Sequence, residues 1–139
     1  MDRTASARWT GDLKSGKGSL KLGSGAFEGA YSFHSRFESS SGTNPEELLG
    51  AAEAGCFTMA LANALASAGH PVTSLDTKAT VRLEKGAEGF SITGIDLETK
   101  GVVPGVADAE FQKHAEAIRT GCILSRALGV PVRLKATLG

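Results

Sequence analysis

Residues 44–65, NPEELLGAAEAGCFTMALANAL, constrain this chain more than any other stretch. Asn44 is a favoured N-cap, Pro45 suits the first helical position, and Glu47 stands at the third, where it can complete a capping-box-like arrangement. Alanine, leucine and methionine then carry the helix to about Ala68, where Gly69 can take the left-handed C′ conformation and Pro71 bars continuation. A helix of about 24 residues is near 35 Å long, the scale of a whole small domain. It is expected to be the central helix of the fold. Ala51, Ala52, Ala54, Gly55 and Ala60 leave little side-chain volume near its middle, so a second helix can approach closely there.

Strand signals surround that helix. SGKG at 15–18 reads as a hairpin turn before SLKLGS, and FEGAYSFHSRF follows as extended chain. In it Tyr31, Phe33, Ser35 and Phe37 share one parity, which places Arg36 on the opposite face of a half-buried strand. DTKATVRLE at 76–84 alternates apolar and polar residues as a strand. GFSITGIDLETKG at 89–101 changes parity at Gly94, the mark of a β-bulge within one strand. Asp108 is expected to cap a second helix running to about Thr120. Cys122 then opens a short helical piece, CILSRAL, and VPVRLKATL closes the chain as a strand. This order predicts an α+β fold with mostly antiparallel pairing, and 139 residues suffice for one domain, 1–139, with a core of its own.

Fifteen basic residues balance fifteen acidic ones, which removes the electrostatic case for nucleic acid or an anionic membrane as partner. The uninterrupted apolar runs fall short of the roughly 20 residues that span a bilayer. MDRTASARWT lacks the apolar core of a signal peptide, so a cytoplasmic location is expected. Two cysteines 66 positions apart do not make a disulfide framework.

From the residues alone, Cys56 is either a small core side chain or a working thiol. It lies three turns into its helix, beyond the reach of the helix dipole, and would need a cation from elsewhere to react. Cys122, at a helix opening, is better placed in that respect. His34, His70 and His114 stand apart from the cysteines, without metal-ligand spacing, and no metal or cofactor is expected. Glu46 and Glu47 read first as a solvated helical turn that suits the dipole.

The run RFESSSGTNPEELLGAAEAGCFTMAL, together with the W-x-GD-x-K-x-GKG pattern near the start, TSLDTKATVRL and Gly121-Cys122, resembles the OsmC/Ohr family of osmotically inducible and organic hydroperoxide resistance proteins. The GTNPEELLGAA-x-A-x-CF-x-MAL form is similar to its OsmC branch, and the likeness extends over nearly the whole chain. The resemblance implies a mostly antiparallel sheet wrapped around long central helices in an intertwined homodimer. It also implies a thiol-dependent peroxidase that reduces organic hydroperoxides, regenerated by a dithiol such as a lipoylated protein. Cys56 matches the family's peroxidatic cysteine, Cys122 the resolving one, Arg36 the catalytic arginine and Glu46 the glutamate paired with it. Ile123 stands where the family often has proline, whereas Ser125 keeps its usual place. Two other readings compete: a non-enzymatic dimeric module for a small apolar ligand, and a thiol hydrolase using Cys56, for which no histidine is placed as base.

Magnitudes assign Arg36 its part within that expectation. An ordinary thiol of pKa about 8.5 is roughly 3% thiolate at pH 7, and a drop of about three units raises that about 30-fold. With a Brønsted slope of about 0.45, the same drop lowers intrinsic reactivity about 20-fold. The gains nearly cancel, so the guanidinium must also orient the peroxide and stabilise the developing oxyanion, braced by Glu46. Ten residues of helix, about 15 Å, separate Glu46 from Cys56. Arg36 and Glu46 are therefore expected to serve Cys56 of a partner subunit. Phe57 and Met59 are candidates for the pocket that takes an organic peroxide's alkyl group.

Overall fold

The computed structural model describes residues 1–139. The chain forms two compact units, residues 1–48 and 49–139. In the first, β1 (Ala5–Thr10), β2 (Lys17–Leu22) and β3 (Glu28–Tyr31) make an antiparallel three-stranded sheet in sequential order. Its register sets Gly18 opposite both Trp9 and Tyr31. A side chain at 18 would strike the Tyr31 ring at 2.4 Å. Glycine there lets the Trp9 and Tyr31 rings approach to 5.5 Å between centroids across the middle strand.

After β3 the structure departs from the expected strand. Phe33–Phe37 is a helical turn, α1. Ser32 and Ser35 close a reciprocal capping box, Ser35 N donating to Ser32 Oγ at 3.0 Å and Ser32 N to Ser35 Oγ at 2.8 Å. Residues 33 and 37 share a face in a helix as well as in a strand, and their rings meet at 5.2 Å. Local side-chain hydrogen bonding decides between the two periods.

The long helix α2 spans Pro45–Ser67, within a residue of expectation at either end. Asn44 caps it, its Oδ1 accepting from Glu47 N at 2.7 Å, but the Glu47 carboxylate turns to the Thr43 hydroxyl at 2.9 Å. At the other end Gly69 has φ +90°, and Gly69 N to Ala66 O and His70 N to Leu65 O complete a Schellman motif. By length and composition α2 is sufficient to cross a membrane, which corrects the expectation that no stretch of this chain is. The difference lies in the count: isolated polar residues interrupt the apolar runs without lowering the apolar average of the helix.

In the second unit, α2 lays the stripe Glu53, Phe57, Leu61 and Leu65 into the core, each wholly buried. The i, i+4 spacing keeps these residues on one face. They pack in a core with Ile95, Leu97, Val103, Phe111, Ala115 and Val132. Full burial of each large apolar side chain contributes about 1.5–3 kcal/mol. β4 (Ser74–Gly86) and β5 (Gly89–Val102) form an antiparallel hairpin, and β6 (Val132–Leu138) adds to β5 in parallel. The register steps from Arg82↔Gly94 to Leu83↔Ile92, so the bulge falls where the parity change at Gly94 places it.

Helix α3 covers Asp108–Gly121 and α4 covers Ile123–Leu128. Asp108 is the first helical residue rather than the cap; the cap position belongs to Ala107, which makes no side-chain hydrogen bond. One position inside the helix, the carboxylate still faces the positive end of the dipole. Cys122 ends α3 and caps α4, opening that short helix as the sequence predicts.

Candidate active site

Within residues 1–48 the structure brings Arg36 and Glu46 together. α1 presents Arg36, and the turn after it is held by Ser35 Oγ donating to Thr43 O at 2.7 Å and Asn44 Nδ2 to Ser35 O at 3.3 Å. Arg36 Nη2 then reaches Glu46 Oε1 at 2.7 Å, while Nε spans both carboxylate oxygens at 3.1 and 3.3 Å. Glu46, on the first turn of α2, is 9% exposed. A fork pair of this kind fixes the plane of the guanidinium as well as its position. Nη1 lies outside the pair. The guanidinium carbon also stands 5.2 Å from the centre of the Phe37 ring.

Arg36 lines a cavity of about 250 Å³ whose other walls are Trp9, Leu13, Tyr31, Ser32, Phe33 and Phe37. This is an apolar recess with one cation in its wall. Sequence reasoning located Arg36 but missed the recess, because Trp9 and Leu13 come from a different part of the chain. The clustering of Tyr31, Phe33 and Phe37 on one parity was the available signal.

Within residues 49–139 the structure brings the two cysteines together. Both are reduced thiols, Cys56 half-buried and Cys122 buried. As cap of α4, Cys122 Sγ accepts from Ser125 N at 3.4 Å and lies 3.1 Å from Ser125 Oγ. It also donates to Glu53 Oε1 at 3.6 Å, and the Ser125 hydroxyl donates to the same oxygen. Burial pushes the Cys122 pKa above its ordinary value, and the two Ser125 hydrogen bonds pull against that. A hydrogen bond with the Cys56 side chain and the nearby Glu53 charge raise it further. Two thiols 66 positions apart in the chain are thus close enough for one to act on the titration of the other. Ile123 occupies the first helical position of α4, which tolerates proline, so the departure at 123 leaves the Cys122 cap in place.

The two pocket candidates point apart. Phe57 is wholly buried in the core, whereas Met59 is 76% exposed and borders an open groove with Gly55, Ala62 and Val72. Glu53 is the polar residue that sequence reasoning passed over. Its signal was a carboxylate at the head of the Phe57, Leu61, Leu65 stripe.

The sequence model of a family described as OsmC-like protein matches residues 38–136. The chain belongs to the OsmC family. It is 43% identical over 135 residues to Peroxiredoxin OsmC of Escherichia coli (strain K12), a match covering 96% of this chain and 94% of that one. Among solved structures, an OsmC-like protein of unknown function from Vibrio cholerae superposes with TM-score 0.79 at 17% identity, over 98% of this chain and 99% of that one. The organic hydroperoxide resistance protein OhrB of Bacillus subtilis gives 0.73 at 23% identity, over 98% of each chain. These two carry the fold: the α+β arrangement expected from the sequence is the one that OsmC-family proteins share.

Proposed function

We propose that this OsmC-family chain is a thiol-dependent peroxidase that reduces organic hydroperoxides to alcohols, acting as a single domain over residues 1–139. The observation that carries the reading is the interaction of the Cys56 and Cys122 thiols at the cap of α4. A peroxidatic cycle resolved within the protein needs such a pair. The Cys56 thiolate attacks one peroxide oxygen, the O–O bond breaks, and the other oxygen leaves as alkoxide to take a proton and become the alcohol. The Cys56 sulfenic acid then meets the Cys122 thiol, forming a disulfide and releasing water before further oxidation. An exogenous dithiol, such as a lipoylated protein, restores both thiols in the cytoplasm. The peroxiredoxin name of the E. coli relative, at 43% identity, supports the same chemistry.

Arg36 orients the peroxide and stabilises the departing alkoxide, with Glu46 holding the guanidinium plane. The aromatic recess beside Arg36 takes the alkyl group, which favours organic over hydrogen peroxide because apolar surface leaves water. Arg36 and Glu46 act on Cys56 of a partner subunit across paired α2 helices. In support, Ala52, Gly55 and Met59 share one exposed face of α2, and the space around Gly55 is open.

The test is consumption of tert-butyl hydroperoxide by the reduced protein. Cys56→Ser is expected to abolish it. Cys122→Ser is expected to complete one turnover and then accumulate overoxidised Cys56. A Cys56→Ser protein that consumes peroxide at the wild-type rate rejects the mechanism.

A further inference from the structure

Glu53 occupies a position where the helix calls for leucine. It heads the stripe completed by Phe57, Leu61 and Leu65, it is 0% exposed, and its Oε2 has no hydrogen-bond partner. A buried carboxyl group with an unpartnered oxygen is unfavourable for stability, and such groups persist where they have chemistry to perform. Its other oxygen, Oε1, accepts from the Ser125 hydroxyl, which lies 3.1 Å from Cys122 Sγ; Oε1 itself is 3.6 Å from that sulfur.

We propose that Glu53 is the proton acceptor for Cys122 in disulfide formation, with Ser125 as the relay between them. The inference rests on the peroxidase reading above. Its need follows from the site. Burial holds Cys122 as a neutral thiol, a poor nucleophile, and the adjacent carboxylate charge acts in the same direction. As the Cys122 sulfur attacks the sulfur of the Cys56 sulfenic acid, the S–S bond forms and the S–O bond breaks. The Cys122 proton passes to the Ser125 oxygen as the Ser125 proton passes to Glu53 Oε1. The oxygen leaving Cys56 then takes that proton and departs as water. The sum is one thiol and one sulfenic acid converted to one disulfide and one water, with Glu53 and Ser125 unchanged. A neutral thiol thereby gains the nucleophilicity of a thiolate only when its target is present.

The experiment follows the two half-steps separately. Reduced wild-type, Glu53→Gln, Ser125→Ala and Cys122→Ser proteins are mixed with one equivalent of tert-butyl hydroperoxide. Peroxide loss reports oxidation of Cys56, and mass spectrometry after acid quench and alkylation reports the disulfide. Glu53→Gln keeps the volume and an acceptor for Ser125 but cannot hold the proton. It is expected to consume peroxide within about two-fold of wild type and to form the disulfide at least about ten-fold more slowly. Ser125→Ala, which leaves the core stripe intact, is expected to slow the same half-step, so the test survives a Gln variant that fails to fold. The titratable groups bearing on Cys122 are Glu53 and Cys56, both on α2, and Cys56 is oxidised during this step. Raising the pH from neutral towards the thiol range should therefore accelerate disulfide formation in Glu53→Gln far more than in wild type, because solvent hydroxide replaces the missing base. Wild-type rates of disulfide formation in both variants, or a slower Glu53→Gln with an unaltered pH profile, overturn this proposal alone. A wild-type protein that consumes no peroxide, or forms no Cys56–Cys122 disulfide, overturns the peroxidase reading and this proposal with it.

Discussion

Arg36 shows what a residue's position can and cannot do for its chemistry. A cation that only ionised a thiol would gain little, since nucleophilicity falls as thiolate population rises. The fork with Glu46 instead fixes the guanidinium plane, as the proposed role of holding a peroxide and an oxyanion in place requires. Arg36→Lys separates these roles, because lysine keeps the charge and loses the planar fork. Its second-order rate constant with tert-butyl hydroperoxide, read by stopped flow, is expected to fall about 100-fold, the scale of one lost oxyanion donor. A near-wild-type rate would show that charge alone suffices. At this scale the pairing of Arg36 with Glu46 was legible, because the resemblance that suggests it is carried by residue type and order. Glu53 was not, because a glutamate in a helix reads as solvated until burial is known.

Helix boundaries were the most legible elements. Asn44, Pro45 and Gly69 act through bonds within a few residues of themselves, so no tertiary information is needed to place them. Gly69 carries the sharper prediction. Its φ of +90° is strained for any side chain, yet nothing lies within 4 Å of where a Cβ would stand. Gly69→Ala should therefore cost about 1–2 kcal/mol through backbone strain alone. A urea midpoint will read that loss, with peroxide consumption unchanged. Residues 33–37 show the opposite case. Spacing of two and spacing of four are both satisfied by Phe33 and Phe37, and the Ser32–Ser35 capping box selects the helix. A serine pair three apart is the signal that tips such a segment, and it was present in the sequence.

For the whole molecule, the prediction concerns where the site is completed. Each unit of the chain holds one half of the proposed site: the Arg36–Glu46 fork in residues 1–48 and the Cys56–Cys122 pair in residues 49–139. If the halves that work together belong to different subunits, two dead variants can rescue each other. Arg36→Ala and Cys56→Ser proteins, each inactive alone, are expected to regain up to about one-quarter of wild-type activity when unfolded together and refolded, since half of the dimers are mixed and each holds one intact site. No recovery in verified mixed dimers would place both halves in one subunit.

The sequence by itself determined the α+β class, both ends of α2, the bulge at Gly94 and the family, because each rests on local bonding or on residue order. Tertiary structure alone decided that the Cys56 and Cys122 thiols interact across 66 positions, that Trp9 and Leu13 join Tyr31, Phe33 and Phe37 around a recess beside Arg36, and that Glu53 is buried against Ser125. These are proximities between segments remote in the chain. Packing creates them, and no periodicity within any one segment encodes them.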